Sequence, residues 1–147
     1  MTVIGIQGSS PELRNNFARD LIKYFKNKNK TVSVFAYIGK NCEIDVPEKD
    51  SHRHRTAGAK EVLAVSTLRW ALIHESSSNS PVNVEQLLQK LETNDIILAP
   101  NFPGETDILI SLDTANKCVK IYKGKKYLQA FKLDSTGQMS DFILSAI

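Results

Sequence analysis

The sequence predicts an α/β fold with a parallel β-sheet, formed as one domain over residues 1–147. Three observations carry that expectation. A β-branched run, Thr2 to Gln7, is followed by a capped amphipathic stretch and then by a second strand-like run, the strand–helix–strand order of a parallel crossover. Two continuous apolar runs, Asp95 to Ala99 and Asp107 to Leu112, recur later and suit strands buried inside a sheet. The length is that of a single domain able to bury a core without disulfides or metal staples.

The elements follow in order. TVIGIQ ends at Gly8 and reads as a buried strand. Ser10 suits an N-cap and Pro11 the first helical position. Leu13, Phe17, Leu21 and Phe25 then repeat every four residues, with Ile22 widening the stripe, until the KNKNK run from Lys26 to Lys30 ends the helix. A second strand is expected over Thr31 to Tyr37. Asp50 to Gly58 is a polar helix candidate that Asp50 or Ser51 would cap and Gly58 would stop. Glu61 to Val65 and Arg69 to His74 flank Ser66-Thr67-Leu68 as a hairpin. Ser76 to Ser80 forms a Ser-rich linker, and Val84, Leu87, Leu88 and Leu91 mark the next amphipathic helix. From Cys118 to Leu133 lysine alternates with apolar residues around a turn at Gly124, and no internal repeat is evident.

Composition excludes several classes. With 41% hydrophobic and 24% charged residues the chain belongs to the globular range, not the disordered one. Cys42 and Cys118 lie far apart without a C-x-x-C spacing, so neither a zinc knuckle nor a redox pair is expected, and a reducing, cytoplasmic setting is the default. No run approaches the ~20 apolar residues of a membrane helix, so no membrane partner is expected. The net charge of +3 is too small to argue by itself for nucleic acid.

Ligands of parallel α/β sheets gather at the carboxyl ends of the strands, which places the first functional question at Gly8-Ser9-Ser10-Pro11-Glu12-Leu13-Arg14-Asn15. This turn has the place and length of the phosphate-binding G-x-x-x-x-G-K-[ST] loop. Only Gly8 fits. Leu13 replaces the second glycine, Arg14 the lysine and Asn15 the hydroxyl residue. Pro11 has no N–H to give, and Glu12 adds negative charge where phosphate would lie. The alternative is a capped helix that starts early after a core strand.

The middle of the chain resembles a known family. Val46-Pro47-Glu48-Lys49-Asp50-Ser51-His52-Arg53-His54-Arg55-Thr56-Ala57-Gly58-Ala59, then Ala64-Val65-Ser66 and Arg69-Trp70-Ala71-Leu72, are similar to MobB, the molybdopterin-guanine dinucleotide biosynthesis adaptor family. There a K-D-S/T, R, A-G-A block precedes a short strand and an R-W-A-L strand. The likeness extends from Val3 to Leu112 and leaves the lysine-rich segment 117–133 outside.

The resemblance implies a P-loop NTPase-like three-layer α/β fold with a mixed, largely parallel β-sheet, usually dimeric. It also implies GTP binding with Mg²⁺ and assistance to a MobA-type guanylyltransferase that attaches GMP to molybdopterin. On this reading the binding residues are Gly8, Ser9, Ser10, Arg14 and Asn15 in the loop, with Asp50, Ser51, Arg53 and Arg55 in the middle block. Arg53 and Arg55 would hold phosphates of a nucleotide or of molybdopterin, and Asp50 would orient a base or an arginine. The family's K-H-x-H-H cluster falls on Ala36-Tyr37-Ile38-Gly39-Lys40 without its histidines, and its V-E-G-F-K segment falls on Ala99-Pro100-Asn101-Phe102-Pro103, where an acid has become Pro100. Losing cradle, hydroxyl and acid together leaves no evident Mg²⁺ site. The sequence therefore points to a divergent member with a degenerate P-loop, GTPase activity weak or absent, and an accessory role. The alternative is a protein-interaction scaffold that keeps the fold without nucleotide.

The remaining residues have blander readings. His52 and His54 would point apart on a helix and could not chelate one metal. His74 is expected to be a partly buried strand histidine, Trp70 a core or sheet-packing residue, and Cys118 a small apolar filler. Six lysines and no acid lie between Lys117 and Lys132, with Tyr122, Tyr127 and Phe131 among them. That pattern suits single-stranded nucleic acid, but it is read here as an edge hairpin whose lysines prevent sheet-to-sheet pairing.

Overall fold

The computed structural model describes residues 1–39, 42–77, 82–92 and 94–147. Lys40, at the end of the expected histidine-cluster position, and residues 78–80 of the Ser-rich linker lie outside the described residues. The sequence predicts one domain. The contacts of the chain divide it into two compact units, residues 1–38 with 84–147 and residues 39–83.

The larger unit is a six-stranded sheet in the order β2-β5-β1-β6-β7-β8. β1 (Thr2–Gln7) lies between β5 (Ile96–Pro100) and β6 (Ile108–Asp113), parallel to both, with Ile4 opposite Leu98 on one side and Ile108 on the other. β2 (Val32–Val34) pairs in parallel with β5 at one edge. β7 (Cys118–Lys123) and β8 (Lys126–Lys132) extend the other side antiparallel, joined at Gly124 with φ +55°, so the lysine hairpin does form the far edge.

The burial patterns follow this topology. β5 is an unbroken apolar strand buried on both faces, whereas β6 alternates because only one of its faces is fully covered. That face carries Ile4, Ile6, Leu98, Ile110, Leu112 and Ile121. It packs against Phe17, Leu21 and Phe25 of α1 (Pro11–Asn27) and against Met139 and Ile143 of α4 (Thr136–Ala146). On the sheet's other face Phe35 meets Phe102 edge-to-face, with centroids 5.4 Å apart. Asp95 accepts from the Thr31 amide and hydroxyl at 2.8 Å, and Asp107 from the Val3 amide at 2.8 Å, fixing the strand starts away from the carboxyl ends.

Several expectations are corrected here. β2 spans three residues, not Thr31 to Tyr37, because an edge strand keeps only the ladder its single neighbour offers. α3 (Val84–Leu88) is shorter than the Val84 to Leu91 periodicity suggests. α4 was not expected at all, although Met139, Phe142 and Ile143 have helical spacing.

The smaller unit holds α2 (Asp50–Thr56) and the antiparallel hairpin of β3 (Glu61–Val65) and β4 (Trp70–His74). Lys49, not Asp50 or Ser51, is the N-cap of α2, and no side chain closes that end. Gly58 follows the helix at φ +108°, the left-handed stop the sequence predicts. Trp70 is 70% exposed because a two-stranded sheet has too little area to cover it. His74 is also exposed, with its Nδ1 2.7 Å from Glu61 Oε1 across the strand pair.

Candidate functional site

The carboxyl end of β1 leads into a connection of three residues, Gly8, Ser9 and Ser10, before α1 begins at Pro11. Ser10 is the N-cap. Its Oγ accepts from the Leu13 amide at 3.2 Å, and its carbonyl accepts the first helical bond from the Arg14 amide at 3.1 Å. A phosphate cradle needs free amides in this stretch. Here one amide is absent at Pro11 and another is satisfied at Leu13.

The other predicted loop residues have structural roles too. A Cβ on Gly8 would lie 3.0 Å from Leu112 Cβ and 3.2 Å from the Leu112 carbonyl, so β6 requires glycine at this position. The Arg14 guanidinium folds back and donates to the Gly8 carbonyl, which turns the only cation of the loop onto the backbone. Ser9 and Asn15 are exposed.

Beside α1 runs an open groove of about 560 Å³, walled by Glu12, Asn15 and Arg19 on the helix and by Val34 and Pro100 at the strand ends. Pro100, buried at the end of β5, gives that wall a ring where the family pattern has a carboxylate. The groove residues Asn16 and Arg19 were not singled out in the sequence, because the i, i+3 spacing that brings them together also describes an ordinary helix surface. Pro11 and Pro100 supply neither a donor for phosphate nor a side-chain oxygen for Mg²⁺, and Glu12 sets a negative charge where phosphate would lie, so the residues present do not fit a Mg²⁺–triphosphate. No step through such a group is derived.

In the smaller unit the Asp50 to Arg55 block does not present two free arginines. Arg55 is clamped between carboxylates, Nη1 to Glu75 Oε1 and Nη2 to Glu43 Oε2, both at 2.7 Å, with its side chain 16% exposed. It ties the segment before α2 to the residue after β4. A phosphate at Arg55 would have to compete with these two carboxylates. The backbone amide of Asp45, and then Arg55, hold the Glu43 carboxyl below its ordinary value. Ser51 Oγ donates to Asp45 Oδ1 at 3.0 Å, and His52 Nε2 is 3.9 Å from Glu43. Arg53 remains outward, 68% exposed, in a loose 4.0 Å pair with Asp50. Glu43 and Glu75 escaped the sequence reading, since nothing local marks two acids 32 positions apart as partners of one arginine.

Among the described residues no helix is long and apolar enough to cross a membrane. A family model described as molybdopterin guanine dinucleotide synthesis protein B matches residues 3–134, and so takes in the lysine hairpin that the resemblance stops short of. The chain is 29% identical over 105 residues to a molybdopterin-guanine dinucleotide biosynthesis adapter protein of Haemophilus influenzae, covering 70% of this chain and 58% of that protein. The Escherichia coli protein of the same name is 34% identical over 67 residues, 44% of this chain and 38% of its own. The chain thus spans between about two fifths and three fifths of these relatives. In fold it is similar to a crystal structure of molybdopterin-guanine biosynthesis protein B, with a TM-score of 0.65 at 14% identity over 99% of both chains. Bacillus subtilis MobB gives the same score and identity over 100% of this chain and 98% of its own.

Proposed function

The chain belongs to the MobB family, and from that premise we propose that it is an accessory protein of molybdopterin guanine dinucleotide biosynthesis in the cytoplasm, acting by protein contact and not by GTP hydrolysis. The observation that carries this reading is the start of α1. Ser10 caps Leu13 and Arg14 clasps Gly8, so the hydroxyl and the guanidinium nearest a phosphate are engaged in closing the helix. GTP and Mg²⁺ are then weak or lost ligands of the loop. Molybdopterin remains a candidate ligand through Arg53, the arginine of the middle block that keeps its guanidinium outward.

The partners proposed are a MobA-type guanylyltransferase and a second copy of the chain. The hairpin supports the second. Leu63 opposite Leu72 and Val65 opposite Trp70 put four apolar side chains on one exposed face, and Leu68 at the turn is 92% exposed. Such a face suits burial against its own copy. Light scattering tests the dimer: the wild-type chain should run as a dimer and a Leu63→Ser/Trp70→Ser variant as a folded monomer. Guanylyl transfer by a MobA-type enzyme tests the rest. Arg14→Ala should assist as well as wild type, and loss of assistance with Arg14→Ala alone would overturn the reading.

A further inference from the structure

The sheet of the larger unit has a second face, and along β6, β7 and β8 the two long helices leave it open, since α1 and α4 pack on the opposite side. The register places Leu109, Tyr122 and Tyr127 in one row across the three strands. Tyr127 is 53% exposed, and its ring meets that of Tyr122 edge-to-face at 5.7 Å. On the same face Lys120 pairs with Asp113 at 3.2 Å, while Lys132 is exposed opposite Cys118. Exposed Lys117 stands at one end of this hairpin and exposed Lys125 at its turn, whereas Lys126, paired with Lys123, points to the helix side.

We propose that this face is a docking surface for an acidic protein surface, with the Leu109–Tyr122–Tyr127 row as its apolar centre and the lysines as its rim. Register and charge define this surface, which is independent of the family role proposed above. Aromatic residues ringed by polar ones are the composition of protein contact centres. Edge protection explains lysines on β8 but does not explain a tyrosine pair, half-exposed Tyr122 on β7 and exposed Tyr127 on β8, on the same face. A second copy is disfavoured, because face-to-face pairing would oppose two lysine rims. Nucleic acid is disfavoured on two counts. The two tyrosines use each other instead of offering parallel stacking faces, and the Asp113 carboxylate stands on the face, where a regularly charged phosphate backbone could not avoid it. A folded acidic protein can place a donor opposite Asp113 and acids opposite the lysines.

The test titrates the ¹⁵N-labelled full chain with a 4:1 glutamate–tyrosine copolymer and, separately, with a single-stranded oligothymidylate of matched charge. The copolymer should shift amides between residues 109 and 132 and bind more tightly than the oligonucleotide. Lys125→Glu/Lys132→Glu and, independently, Tyr127→Ser should each weaken it about tenfold, with circular dichroism showing both variants folded. Tighter binding of the oligonucleotide would assign the face to nucleic acid, and concentration-dependent self-association abolished by Tyr127→Ser would assign it to a second copy. Shifts outside this region, or none at millimolar copolymer, would overturn the docking surface altogether.

Discussion

Replacing Ser10 by alanine removes the Oγ that accepts from the Leu13 amide and leaves the rest of the helix start in place: Pro11 at the first position, the Ser10 carbonyl to Arg14, and the Arg14 clasp on Gly8. N-cap removal costs ~0.5–2 kcal/mol in general. The contact is 3.2 Å long and part-buried, so the loss belongs near the middle, about 1 kcal/mol. For a chain of this size that lowers the melting temperature by about 3–5 °C. Circular dichroism at 222 nm is the right probe, because α1 and α4 dominate the helical signal of the larger unit, whereas Trp70 lies exposed in the smaller one. Ser10→Asp keeps an acceptor at the cap and should restore the lost stability. Equal destabilisation by alanine and aspartate, or no change with alanine together with a weakened nucleotide affinity, would refute the capping role and make Ser10 a ligand residue.

Three further perturbations test other parts of the account. Leu21→Ala opens a cavity where α1 meets the sheet and, with Leu21 fully buried, should cost about 3 kcal/mol in urea unfolding; a loss below about 1 kcal/mol would show that α1 does not anchor the core. Asp113 is held down to about 2 by Asn116 first and then Lys120. The folded chain therefore releases that proton more readily than the unfolded one, and the stabilisation is complete above the ordinary carboxylate range and lost as pH falls toward about 2. Asp113→Asn should flatten the acid limb of the stability profile, and an unchanged limb would contradict the pairing. Arg55→Ala should leave Glu43 and Glu75 unneutralised and raise amide exchange at residues 42–45 while sparing the larger unit; unchanged exchange there would mean the clamp holds nothing.

Much of the larger unit was legible because its determinants are local. Ser10-Pro11 announces the helix start, and Leu13, Phe17, Leu21 and Phe25 describe a single stripe that the fold buries. The β-branched composition of Thr2 to Gln7 and of Ile96 to Leu98 similarly matches the central strands. What escaped depends on distant partners. β2 is short because of its single neighbour, and Trp70 is exposed because its hairpin has only two strands. α4 escaped because its modest apolar stripe follows a lysine-rich hairpin that drew the reading of the tail. At the site the sequence shows that the phosphate-loop chemistry has changed, but not what replaced it. That Arg14 turns back to a carbonyl and Arg55 is held by acids at positions 43 and 75 is fixed by folding, not by spacing.

Calorimetric titration of GTP with Mg²⁺ into the full chain tests the central claim most directly, that the turn after β1 is a closed helix start and not a phosphate cradle. The account predicts no saturable binding below millimolar nucleotide and no difference between wild type and Arg14→Ala. Saturable micromolar binding that disappears with Arg14→Ala would contradict it.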